Sequence, residues 1–506
     1  MKTDLVGSRP GLVRALGPVT ATAVVVGGII GSGIFKKPQV VAENTPFFGI
    51  AALVWVLGGV LALLGSLSLA EVAALYPRAG GNYVFLRASF GRLAAFLWGC
   101  VEFGIIRSAG LAALATIFAE SLADILRNQA FQDALGLHLG PEPLAFWGQR
   151  WLTIAVIMAL AFVNVLGVRW GGLLQLLITT VKVSTLIGVA VLPFIVAAVA
   201  SPGSNVPRPD AQNLLPLWPS WSSFNLSKFG VALVAVLWAY HGWMDVAPVA
   251  GEVHHPQRNV PLAMLAGALI TMGLYLAANL GYCLIMTQDQ LAAVDKSTTA
   301  ATVFSLKLLG PIGAAIASAA IAWSVFGALN GNLLVGPRVI YAMGEDGLAP
   351  RAMAAVHPRF RTPAAAIVVM GIWSALLILA GAALTRFRLP VFQIGPWTMN
   401  LNVPEGKALF DIMTDFCMFG AVIFETLAVA TIFVFRRRFP NVERPYRCWG
   451  YPFVPGLYVY LLGLVAVNMV FKQTTEALVA VGFMAVCAAI YGLSPRLRHP
   501  RVDGEW

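Results

Sequence analysis

The chain has 506 residues, of which 58% are hydrophobic and only 11% charged. That balance excludes a soluble globular domain, and apolar stretches of roughly 20 residues recur along it, so it describes a polytopic, all-α membrane protein embedded in a lipid bilayer. The formal net charge of +11 fits basic cytoplasmic loops, so no nucleic acid is expected as a partner. Five scattered cysteines (Cys100, Cys283, Cys417, Cys448 and Cys487) show neither a CxxC pair nor a metal-ligand spacing, so neither metal nor cofactor is expected.

Lys2, Arg9 and Arg14 precede the first apolar run. That run has no small-residue cleavage site and leads directly into further spans, so it reads as retained rather than as a signal peptide. Apolar length predicts twelve transmembrane helices, at 13–42, 47–75, 89–126, 150–167, 171–199, 227–253, 260–286, 304–343, 363–385, 408–435, 452–471 and 475–494. The third and eighth exceed what a bilayer needs, which predicts tilt or extension beyond it. With the N-terminus inside, roughly twenty Lys and Arg fall on the cytoplasmic segments and about ten on the outer loops. Both termini are therefore expected in the cytoplasm of a cell bounded by this plasma or cytoplasmic membrane. The two long outer loops, 201–225 and 388–407, are rich in Pro, Trp and Asn and carry no partner motif.

The first span contains GGIIGSGIF (27–35). Each glycine costs a helix interior about 1 kcal/mol relative to alanine, so four of them predict a break. The sixth span contains WAYHGW (238–243), a second interruption at corresponding depth, five spans later. Five spans begin and end on opposite sides of the membrane, so a second unit of five is inverted relative to the first. Paired broken helices in inverted halves point to the substrate site of a secondary transporter. Unwound backbone is tolerated at that depth where it lines a cavity. Free N–H groups at one break attract a carboxylate and free carbonyls attract an ammonium, so the pair suits a zwitterion, an amino acid. For one glycine cluster alone, close helix packing would be the better reading.

These residues resemble the L-type amino-acid transporter family of the amino acid–polyamine–organocation superfamily. GGIIGSGIF is similar to the family's first-span signature, and YPRAGGNYVFLRASFG (76–91) to its second-to-third-span loop. EFGIIR (102–107) resembles E-L-L-I-I-R-P, and WAYHGW resembles F-A-Y-G-G-W. GEVHHPQRNVP (251–261), SVFGALNGNL (324–333), GEDGLAPRAMAAVHPRFRTP (344–363) and RPYRCWGYPFVP (444–455) follow in the family's order. The resemblance implies the leucine-transporter fold in one domain spanning 1–506: a first five-helix repeat (13–199), an inverted second repeat (227–435) and two further helices (452–494). It implies a substrate site at Ile29, Gly31, Ser32, Gly33, Trp238, Ala239, Tyr240 and His241. Amides around Ser32 and Gly33 would hold the substrate carboxylate, and the carbonyls of Trp238, Ala239 and His241 its amino group. Trp238 takes the place of an aromatic gate. Ile105, Ile106 and Gly110 match positions that line the side-chain pocket.

Lys182 lies about eleven residues into the fifth span, roughly 16 Å deep. That is too deep to snorkel comfortably, so it needs a partner or a cavity. In sodium-independent relatives a lysine at this place stands where sodium-coupled ones bind a cation. Lys182 is therefore expected to brace the first break against the eighth span near Asn332, or alternatively to carry a coupling proton. Glu102 and Arg107, five residues apart on an α-helix, differ by about 140° in direction and are not expected to pair with each other. Asp245 is placed either toward a cationic substrate group or in a polar cap. His241, Met244 and Asn332 depart from the family's glycine, asparagine and serine, which leaves the side-chain preference open. Lys36 and Lys37 read as solvated. His254 and His255, adjacent at a turn, are weak evidence for a metal. The stretch 127–150 holds no cysteine, where the animal members carry the one that links a heavy-chain glycoprotein, so no such partner is expected.

The sequence therefore predicts a carrier of amino acids, with sodium-independent exchange of neutral L-amino acids leading. The alternatives within the fold are a proton-coupled importer and a carrier of cationic amino acids or amines. No cluster with catalytic spacing appears at one depth, so an enzyme is not expected. A nutrient sensor would bind without flux, and a channel would conduct without saturation.

Overall fold

The computed structural model describes residues 14–136, 139–140, 143–201, 206–219, 224–296, 298–384, 392–394, 397–399, 409–472 and 474–498. Lys2, Arg9, Arg386, Arg388, Lys407 and Arg501, which enter the orientation argument, lie outside the described residues, as do the side chain of Arg169, residues 202–205 and 220–223 of the first long loop and most of the second. Among the described residues ten helices are long and apolar enough to cross a membrane. Shorter apolar helices occupy the other two expected positions, Leu226–Tyr240 and Ala477–Leu493. The twelve predicted spans thus appear as ten full-length helices and two shorter ones. The protein is a multi-pass integral membrane protein.

The first span is two helices, Pro18–Ile29 and Gly33–Asn44, separated by three residues. The sixth, expected to run to 253, stops as a helix at Tyr240 and continues as turns to a short 3-10 stretch, Ala250–Glu252. Gly242 explains the stop, because its φ of +107° lies in the region closed to an L side chain. The third span does not begin at 89. Asn82–Phe90 is a separate short helix, and Gly91, at φ +90°, turns the chain before the span Arg92–Arg127. The eighth, Ala300–Glu345, gains its length from a kink: Gly310 has φ +67° and ψ −160°, followed by Pro311, which lacks the N–H to continue the ladder. A short hairpin pairs Phe392–Ile394 with Trp397–Met399, a local exception to the all-α architecture.

The first span packs against the fifth and seventh, and its second half against the sixth; the third and fifth both pack on the eighth. Small residues make the close approaches possible. A Cβ on Gly267 of the seventh span would fall 2.4 Å from Val25, and one on Gly58 of the second span 2.4 Å from Val236. Packing of this kind, rather than exclusion of water, holds helices together in lipid.

Candidate functional site

The two breaks touch. A Cβ on Gly33 would fall 2.5 Å from the Cα of Ala239, and one on Gly242 would fall 2.9 Å from the carbonyl carbon of Gly28. Any larger residue at either position would force the half-helices apart. The hydroxyl of Tyr275, on the seventh span, donates to the carbonyls of Ile29 and Ala239, 2.9 Å from each, and so ties one break to the other. Ser32 is buried, and its hydroxyl has no hydrogen-bond partner among the described residues. Nor do the amides of Gly31 and Ser32 make a backbone hydrogen bond among them. At the second break the amide of His241 reaches back to the carbonyl of Trp238 at 3.2 Å, leaving that oxygen a second lone pair.

Trp238 covers this point. Its ring faces Gly110 of the third span, where a Cβ would sit 3.8 Å away, and meets Phe410 edge-on at 6.2 Å. Ile106 is buried toward Gly420 of the tenth span, and Ile105 is half-buried. Tyr240 is buried against Trp55 and Tyr275, and its hydroxyl lacks a partner among the described residues. The reading of Lys36 and Lys37 as solvated is overturned: both are buried, at 1% and 2% exposure. Lys36 pairs with Glu120 at 3.0 Å, Lys37 donates to Thr414 at 3.2 Å, and both ammonium groups face the ring of Phe410. The break turns this face of the half-helix inward, and cation–π attraction offsets part of the lost hydration.

Lys182 is wholly buried and donates to the carbonyls of Gly27 and Ile30 at 2.7 and 2.5 Å. Breaking the helix there frees acceptors, and the ammonium fills them. Its stem passes Gly327 of the eighth span, where a Cβ would come 3.1 Å from Cε. The Asn332 amide oxygen instead accepts from Arg107 at 3.0 Å. Glu102 and Arg107, expected apart, form a buried ion pair at 2.7 Å. The reason is local. Glu102–Arg107 is a π-helix, whose i→i+5 repeat brings residues five apart onto one face. Arg107 also binds both oxygens of Asp245, so that carboxylate is occupied. The sequence reading missed Glu425 of the tenth span. It lies 2.9 Å from Nδ1 of His241 and accepts from Trp243 and Tyr458, each at 3.4 Å. A lone carboxylate in an apolar run was the available signal.

On the side where the described chain begins, residue 15 and residue 16 donate to the carbonyl of Glu252 at 2.9 Å each. The Glu252 side chain forms a fully buried pair with Arg338 at 2.9 Å. Asp346 accepts from Tyr83 and Arg87, both at 2.6 Å; burial pushes its carboxyl up from the ordinary value, against the lowering by Tyr83 and Arg87. Glu71 takes Arg436, Arg444 and the amide of Cys448. Trp238, Phe410 and the two lysines gather on one side of the breaks. Among the described residues no group of three or more His, Cys, Asp or Glu side chains is placed to hold a metal.

The family model described as amino acid permease matches residues 16–494. The chain is 29% identical over 456 residues to the serine/threonine exchanger SteT of Bacillus subtilis, covering 89% of each chain. It is 26% identical to the human b(0,+)-type amino acid transporter 1, over 94% of this chain and 86% of that one. To the human cystine/glutamate transporter it is also 26% identical, over 90% and 81%. A match over nearly the whole length, on a fold whose first and sixth helices break against each other, makes the chain a member of the amino acid permease family, among the L-type transporters of the amino acid–polyamine–organocation superfamily.

Proposed function

We propose that this protein is a secondary transporter that exchanges neutral L-amino acids by alternating access, independently of sodium. The observation that carries the reading is the pair of touching breaks, with the unpartnered hydroxyl of Ser32 on one and the carbonyls of Trp238, Ala239 and His241 on the other. A carboxylate held by the amides of Gly31, Ser32 and Gly33, and an ammonium held by those carbonyls and that of Ile29, would complete both sets of hydrogen bonds. Trp238 then closes over the substrate, while Gly110, Ile105, Ile106 and Tyr240 shape the space for its side chain.

Sodium independence is supported by Lys182, whose ammonium engages the carbonyls of Gly27 and Ile30 that a cation would otherwise use. Exchange is supported by the relatives, one of which is named an exchanger. The occupation of Asp245 by Arg107 disfavours a cationic substrate. The reading includes two inverted repeats at 13–199 and 227–435, cytoplasmic termini, action without a heavy chain, and a carrier rather than an enzyme.

The test is uptake of a labelled mixture of neutral L-amino acids into proteoliposomes in sodium-free buffer, with and without unlabelled amino acids inside. Uptake that requires a loaded interior is the expected result. Uptake into empty vesicles, or only with sodium, would overturn it.

A further inference from the structure

His241 stands where the second break meets the tenth span. Its side chain is 13% exposed and that of its partner Glu425 8%. The imidazole plane lies within 6° of the Trp238 ring plane, centroid to centroid 6.3 Å. The groups that face it are Glu425 of the tenth span, Glu102 and Arg107 of the third and Asp245 on its own segment, while Cys417 of the tenth span and Tyr458 of the eleventh stand beside Glu425. The second span contributes only Gly58, Leu61 and Ala62 to the adjoining cavity, whose wall carries Glu425, Tyr240 and Tyr458. Tyr240, whose hydroxyl has no hydrogen-bond partner among the described residues, contributes to the same wall. The pair therefore differs from Arg338–Glu252, which is 0% exposed on both sides.

Charge decides what the pair does. The described charged groups that face His241 are Glu425, Asp245 and Glu102 against Arg107, with His241 as the group that changes. With His241 neutral these carboxylates outnumber that cation. Unbalanced charge at membrane depth is costly, and imidazole is the side chain that ordinarily titrates between about pH 5 and 8. A proton on the pair reduces that excess. The carbonyl of the same residue belongs to the set proposed for the substrate's amino group, so that proton and the substrate ammonium are like charges on one residue.

We propose that the His241–Glu425 pair is a proton-binding site whose proton competes with the substrate's ammonium, so that an amino acid binds as the proton leaves. The competition rests on the amino-acid reading above; the proton site does not. By linkage, acid must weaken substrate binding by the same factor as substrate weakens proton binding.

The proton site is tested first without substrate, by following the tryptophan fluorescence of the purified full-length protein between about pH 5 and 8. A transition in the wild type that vanishes in His241→Gly, is displaced in Glu425→Gln and returns in Glu425→Asp is the expected result. The Glu425 variants keep the test decisive should His241→Gly fail to fold. No transition, a transition that survives in His241→Gly, or one removed only by Lys182→Gln would overturn the site. The competition is tested in the exchange assay with the same labelled mixture. The apparent KM should rise about fivefold from pH 7.5 to 5.5, and this ratio should fall to about one in Glu425→Gln, whatever absolute rate each variant keeps. An unchanged ratio in that variant would overturn the competition. Absence of exchange at both pH values would sink the amino-acid reading and the competition with it, and leave the fluorescence result to stand alone on the proton site.

Discussion

Lys182 and Arg107 lie buried beside the same pair of breaks and are held in opposite ways. Lys182 donates to two backbone carbonyls, those of Gly27 and Ile30. Arg107 donates to two carboxylates and a side-chain amide, those of Glu102, Asp245 and Asn332. The difference follows from the groups themselves. An ammonium is a compact point charge suited to the convergent oxygens of a broken helix, whereas a guanidinium is a planar fork that binds carboxylates on several sides. Lys182 serves the break in the first span by occupying acceptors that the unwinding exposed. Arg107 serves the second by fixing Asp245, just beyond Gly242, to the third and eighth spans. One cation repairs backbone; the other ties elements together.

The comparison makes graded predictions. Arg107→Met leaves two buried carboxylates uncompensated and should cost about 3–5 kcal/mol, read as the largest drop in thermal unfolding temperature of the detergent-purified protein. Lys182→Met orphans two carbonyls but also removes a buried charge, so it should cost about 2 kcal/mol. Its larger effect should be on exchange in proteoliposomes, which should be lost. A Lys182 variant less stable than the Arg107 variant would reverse the assignment of roles. Asn332→Ala removes one of several partners of Arg107 and should cost about 1 kcal/mol, with exchange retained. Loss of exchange there would mean that the amide, rather than the ion pairs, positions the guanidinium.

Much of this arrangement was legible in the sequence, because glycine and buried charge are costly enough to require a reason. The four glycines of 27–33 and the interruption at Gly242 fall where the helices stop. Lys182 was legible from its depth alone. The pairing of Glu102 with Arg107 was not, because the argument assumed an α-helical repeat and nothing in EFGIIR announces a π turn. Lys36 and Lys37 were misread for a related reason. Two lysines beside a break look solvated until Glu120, Phe410 and Thr414, from distant parts of the chain, are seen to cover them. The hydrogen bond from Arg107 to Asn332 was not legible either, because the motif placed Asn332 only near Lys182. Glu425 was there to be found, since a carboxylate amid apolar residues calls for a partner. Which partner it had depended on the fold.

The hydroxyl of Tyr275 has one hydrogen and two acceptors, Ile29 on the first break and Ala239 on the second. It can serve one of them fully or both weakly. A ligand that brings a second donor ends this sharing. Under the function proposed above, a substrate ammonium would bring to the seam between the two breaks the donor that a single tyrosine divides.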